Sequence, residues 1–143
     1  MPYRYLEGIT SADVAFEATG KTPEEMFESA GLAITNTMVR AVTAVKPLVK
    51  KEIKKEADKI EKLLFDFLEE LVYLKDAEQL LFSKFEIKIK DEKQLKQLTA
   101  AAYGEKINPK KHELIVDIKA VTYHKFEVKK TENGWKAIVI VDV

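Results

Sequence analysis

No cysteine occurs among the 143 residues, which excludes disulfides, thiolate zinc centres and cysteine nucleophiles together. Histidine is nearly as scarce. His112 and His124 are the only two, and no H-x-x-x-H spacing presents a pair of imidazoles to a metal. There is no G-x-S-x-G, no P-loop and no G-x-G-x-x-G, so a nucleophilic hydrolase or a nucleotide-binding enzyme finds no support. No apolar run approaches the roughly 20 residues that span a bilayer, and the opening MPYRYLEG is too polar for a signal peptide. An excess of one charge is missing as well. The 24 basic and 24 acidic residues cancel, which withholds the broad basic surface of a protein that binds nucleic acid by charge alone. A cytoplasmic location is the expectation.

What is present is the composition of a folded protein: 46% hydrophobic and 34% charged residues, in a length that suits one domain over residues 1–143. Two helices stand out. KTPEEMFESAGLAITNTMV offers Thr22 as N-cap, Pro23 at the first helical position and Glu25 three residues after the cap. Met26, Phe27, Ala30, Ala33, Ile34 and Met38 follow near helical spacing. A second helix is expected after Asp58, read as its cap, with Glu61 three residues on. Its stripe is Ile60, Leu63, Leu64, Phe67, Leu68, Leu71 and Val72.

Strands fill the remainder. KFEIKIK alternates strictly, as an antiparallel strand with one wet face does; LKQLTAAAYGEKI could suit a helix by its leucines and alanines, but Gly104 and the strands around it favour a further strand. Residues 113 to 130, then ENG, then WKAIVIVDV predict a hairpin turning at Asn133-Gly134. AIVIV is apolar on both faces, which places the last strand inside its sheet. Strands outnumber helices and come in hairpins, so the expected class is α+β: a single domain, a mostly antiparallel sheet and two main helices.

The stretch VDIKAVTYHKFEV carries an unusual load. Period-two alternation places Val116, Ile118, Ala120, Thr122, His124, Phe126 and Val128 on one face, with His124 in the register of the core. Asp117, Lys119, Val121, Tyr123, Lys125 and Glu127 share the other face. Elsewhere, Asp142 followed by Val143 offers hard oxygen donors that suit Ca²⁺ or Mg²⁺, although a solvated chain end accounts for the same residues. Asp13 reads as a turn or strand-entry aspartate, and it meets Asp142 only if their strands are neighbours. Residue by residue, the sequence stops at a small α+β domain with a candidate carboxylate metal site.

Several segments, in order, resemble the archease family, small proteins that assist the RtcB-type tRNA-splicing ligase. TSADVAF is similar to the family's His-Thr-Ala-Asp motif. TPEEMFESAGLAI and DKIEKLLFDFLEELVYLKDAE resemble its two helices. YGEKINPKKH, IKAVTYHKFEV and the closing VDV resemble its Gly-Glu, Lys-Ala-Val-Thr-Tyr-His and acidic terminal segments. One departure falls at Thr10-Ser11, where the family has His-Thr, preceded by a two-residue insertion, Gly8-Ile9; the aspartate is retained.

The resemblance implies a protein cofactor and not an enzyme. It would promote guanylylation of the ligase by GTP and its repeated turnover in tRNA splicing. It would meet RNA only through the ligase and have no membrane partner. It implies Asp13 and Asp142 as side-chain ligands of a divalent cation, calcium in crystals, with Val143 adding main-chain or terminal oxygen. It implies Lys119 as a further residue needed for activation, and it leaves His124, Glu105 and His112 between site and scaffold. A chaperone-like protein acting on RNA-processing enzymes is the alternative.

Overall fold

A computed structural model describes residues 2–7 and 12–143. The Gly8-Ile9 insertion and the Thr10-Ser11 departure lie outside the described residues. The chain runs β1 (Tyr3–Leu6), β2 (Asp13–Gly20), α1 (Pro23–Met38), a 3₁₀ turn (Val42–Ala44), β3 (Val49–Ala57), α2 (Ile60–Glu78), β4 (Leu80–Asp91), β5 (Lys96–Lys106), β6 (Ala120–Thr131) and β7 (Gly134–Asp142). Two antiparallel sheets result, ordered β1-β2-β7-β6 and β3-β5-β4. The α+β expectation holds, and β7 lies inside its sheet between β2 and β6.

α1 begins as its sequence requires. The Thr22 hydroxyl accepts the Glu25 N–H at 3.1 Å, and the Glu25 carboxylate reaches back to the Lys21 N–H at 2.8 Å. That is one residue earlier than the usual reciprocal bond. α2 differs from expectation. Its N-cap is Lys59, with no side-chain bond, so Asp58 does not cap it. Burial of Leu63, Leu64, Phe67, Leu68, Leu71 and Val72 holds α2 without that cap, as an amphipathic face generally does.

Each helix touches both sheets, α1 through β2 and β4, α2 through β6 and β3. Phe67 joins them, with its ring centre 5.8 Å from that of Phe27 on α1 and 5.9 Å from that of Phe85 on β4. On the four-stranded sheet the core face carries Phe16 and Ala18 of β2 with Ala137, Val139 and Val141 of β7, none of them measurably exposed. The alternate residues, Asp13 and Asp142 among them, therefore take the opposite face.

The expected β6–β7 hairpin forms, with its two-residue turn one position earlier than Asn133-Gly134. Thr131 pairs with Gly134 around Glu132 and Asn133, and Gly134 lies at φ +153°. A Cβ there would sit 2.2 Å from the Gly20 carbonyl oxygen, so a side chain is excluded by contact as well as by conformation.

The strand expected from residue 113 is different. Regular pairing starts only at Ala120. Residues 113–119 form an extended strap, bridged to the chain at Val39↔Leu114. Within β6, Thr122 faces Ile140 and Glu127 faces Ile138, so Tyr123, His124, Lys125 and Phe126 bulge opposite Val139 alone. Lys125 takes φ +51° to make the bulge. The three surplus residues are an odd number, so they exchange the two faces of the strand. Val121 is consequently buried, against the wet face expected for it, and His124 is exposed, against the core register expected for it.

Candidate functional site

Asp13 and Asp142 are register partners across β2 and β7. Side chains directly opposite on antiparallel strands share one face, with Cβ atoms about 4.5–5.5 Å apart. Asp13 is half-buried and Asp142 exposed. Ala120 of β6 flanks Asp142 on its other side. Two contacts prolong the ladder past the pair: Val143 N–H donates to Ala12 O at 3.0 Å, and Lys119 N–H donates to Asp142 O at 2.7 Å. The structure thus gathers Asp13, Asp142, Val143 and Lys119 at one end of the sheet.

Two carboxylates with a neighbouring main-chain oxygen form an all-oxygen donor set, the kind that suits Ca²⁺ or Mg²⁺ over softer metals. Among the described residues no group of three or more His, Asp or Glu side chains is arranged to hold a metal. The donor set therefore fits a hard cation but covers only part of its coordination shell, with the rest left to main-chain oxygen, water or a partner.

Glu105 and His112 lie elsewhere, on and after β5 of the other sheet, and bond to each other. His112 Nδ1 accepts the Asn108 N–H at 2.9 Å, so Nε2 carries the proton and donates to Glu105 Oε2 at 2.9 Å. Glu105 also accepts the Lys46 N–H and the Lys111 ammonium, both at 2.8 Å. Burial alone would raise its carboxyl, but these bonds outweigh it and hold the group down at about 2. With His112 buried, this cluster anchors the start of the strap. His124 is brought to none of these groups and stands on the bulge. Beside it the Tyr123 ring stacks on Phe65 of α2, ring centres 3.8 Å apart and 7° from parallel.

Sequence reasoning missed Lys75. It follows Leu71 by four residues on the apolar stripe of α2, a signal that could have found it. Its side chain is 5% exposed, and Nζ donates to Asp117 Oδ1 at 2.7 Å, Ile118 O at 2.7 Å and Asp76 Oδ1 at 2.5 Å. Burial would push this ammonium down, but the two carboxylates outweigh it and hold it above the usual lysine value. Lys75 fixes Ile118, one residue before the Lys119 N–H that binds Asp142.

The archease protein family (MTH1598/TM1083) matches this chain over residues 3–143. The chain belongs to the archease family. A protein archease from Methanosarcina mazei is 40% identical over 99% of this chain and 95% of its own length. The archease of Pyrococcus abyssi is 37% identical over 93% of this chain and 94% of its own. The solution structure of Methanobacterium thermoautotrophicum protein 1598 superposes with a TM-score of 0.86 at 34% identity, covering 99% of both chains. A Thermotoga maritima archease, described as a "possible chaperone", shares the fold at a TM-score of 0.58 and 21% identity over 96% of this chain and 97% of its own. No helix among the described residues of this archease is long and apolar enough to cross a membrane.

Proposed function

We propose that this archease is a protein cofactor of an RtcB-type tRNA-splicing ligase, promoting guanylylation of the ligase by GTP and its repeated turnover. The observation that carries the reading is the facing of Asp13 and Asp142 at one end of the sheet, with Lys119 tied by its backbone to Asp142. Like charges opposite each other across a ladder repel, and a divalent cation held by Asp13, Asp142 and the Val143 main-chain oxygen relieves that repulsion. When bound, the cation supplies concentrated positive charge at an exposed edge of the protein. An incomplete donor set is suited to sharing that cation with oxygen ligands of a partner. Lys119, exposed and next to Asp142, would contact the partner's acidic groups or orient the carboxylates.

The reading is tested by multiple-turnover RNA ligation with the cognate ligase. This protein should raise the number of joined ends per ligase well above one, and Asp13→Ala should remove the effect. Stimulation by Asp13→Ala equal to that of wild type would refute the site.

A chaperone-like role is the second reading, favoured by three consecutive exposed apolar side chains, Leu114, Ile115 and Val116. A general chaperone is expected to show a wide apolar surface. This strip is narrow, and the other exposed large apolar residues, such as Leu48, Tyr73 and Leu95, are scattered in sequence. The strip fits a defined contact better than general capture of unfolded chains.

A further inference from the structure

The carbonyl that receives Lys75 and the N–H that binds Asp142 belong to the same amide. Ile118 C=O and Lys119 N–H are the two ends of one planar trans unit. Lys75 Nζ donates to Ile118 O at 2.7 Å, and Lys119 N–H donates to Asp142 O at 2.7 Å. The step then repeats. Asp142 C=O and Val143 N–H share the next amide, and Val143 N–H donates to Ala12 O at 3.0 Å. Ala12 C=O in turn belongs to the amide whose nitrogen is that of Asp13. One line of hydrogen bonds therefore leaves a side chain of α2 and crosses the ends of β6, β7 and β2. It passes through the backbone of Lys119, Asp142, Val143 and Asp13 in turn.

We infer that Lys75 is a positioning residue for the aspartate pair, setting from the head of this line the orientation of the peptide units that carry the site. The inference rests on the cation reading of that pair. An ammonium has three N–H donors, and Asp76, Asp117 and Ile118 O take all three. Its stem leaves a helix locked by the burial of Leu71, Val72 and Leu74. A planar amide cannot turn at one end only, so a fixed Ile118 C=O fixes the direction of the Lys119 N–H. A charged donor on the carbonyl also polarises the amide and strengthens what its N–H donates. Ladder ends are where strands open first, and here a buried group on a helix ties the end down.

Charge alone acts in the opposite direction. Lys75 with Asp76 and Asp117 is one ammonium against two carboxylates. Removing the ammonium leaves more negative charge near the site, which should draw a cation more strongly. The sign of the change therefore separates positioning from charge.

The test is calorimetric titration of the full chain with Ca²⁺, at a temperature where each variant is folded by its melt. Lys75→Met should weaken binding about tenfold, as loss of a ligand-orienting partner does. Asp76→Asn, which keeps the Ile118 bond, should stay within about twofold of the wild type, as expected at an exposed carboxylate. In the metal-free ¹⁵N-labelled protein, Lys75→Met should move the Lys119 and Val143 amide protons upfield, Lys119 the more. Glu105→Gln, a lost contact on the other sheet, should leave both in place. Equal or tighter Ca²⁺ binding by Lys75→Met, an equal loss in Asp76→Asn, or unmoved amides would each overturn the inference. A wild type that binds no Ca²⁺ would refute the cation reading, while the metal-free amide shifts would still decide the line of bonds. Should Lys75→Met not fold, the wild type decides. Coupling between two sites is reciprocal, so saturating Ca²⁺ should slow proton exchange at the Lys75 ammonium more than at the β3 amides, and no such slowing would overturn the inference.

Discussion

Asp13 opens β2, Asp142 closes β7, and the antiparallel register sets the two directly opposite, on the face away from the packed aromatic core. Two carboxylates so placed repel each other. On the proposed reading a ligand's positive charge offsets that repulsion, and the first prediction follows from that sign.

Asp142→Asn should stabilise the metal-free protein by a few tenths to about 1 kcal/mol, since it removes one of two facing like charges. Added Ca²⁺ should reverse the order. A cation bound only by the folded wild type stabilises it by about 2.7 kcal/mol at a hundredfold excess over Kd, and the variant should gain far less. Thermal melts in EDTA and in Ca²⁺, beside calorimetric titration, check both signs. Equal Ca²⁺ stabilisation of the two proteins would remove Asp142 from the metal site.

Lys119→Ala tests the activation reading separately from stability. The side chain is exposed, so the melt should move by no more than about 0.5 kcal/mol. Formation of ligase–guanylate from GTP should fall about thirtyfold or more if the lysine meets a desolvated partner charge. Full activation by the variant would exclude Lys119, and activity that follows only the melt would favour the chaperone-like role.

Lys75→Met should cost about 1–3 kcal/mol through the lost bond to Ile118 O. The carboxylates left behind, Asp76 and Asp117, are 57% and 67% exposed and return to water, so the larger cost of stranding a buried charge does not arise. Amide exchange at Ile118 and Lys119 should accelerate more than exchange in β3 of the other sheet. The ammonium is held above its usual 10.5. Its stabilisation is therefore complete below pH 10.5 and is lost as pH rises through the higher folded value. Lys75→Met should lack that alkaline loss in a melt series.

Glu105 supplies the opposite case. Its carboxyl is lowered from the usual 4.5 to about 2, so the folded state favours the ionised form. The stability it contributes is present above pH 4.5 and is lost as pH falls toward 2. Glu105→Gln should cost about 1–3 kcal/mol near neutral pH and flatten the acid limb of the stability curve across that interval. It should leave Ca²⁺ binding unchanged, because Glu105 bonds to His112, Lys111 and Lys46 and not to the aspartate pair. Weakened Ca²⁺ binding by this variant would return Glu105 to the site.

Local chemistry made much of this protein legible. Thr22-Pro23 and Glu25 specify the start of α1, the stripe of α2 specifies its buried face, and Asn133-Gly134 specifies the hairpin, because caps, helical periods and turns act over a few residues. Resemblance supplied the family and the residues to examine. Three features were settled only by the tertiary structure. Asp13 and Asp142, 129 positions apart in the sequence, become neighbours because β7 inserts between β2 and β6, a pairing that no local pattern encodes. The face of His124 depends on the surplus residues of the β6 bulge; period-two alternation fails wherever an odd insertion shifts the phase. Lys75 is polar on an apolar stripe, and only the folded chain brings Asp117 and the Ile118 carbonyl to it, since a buried ammonium needs partners that arrive from distant sequence.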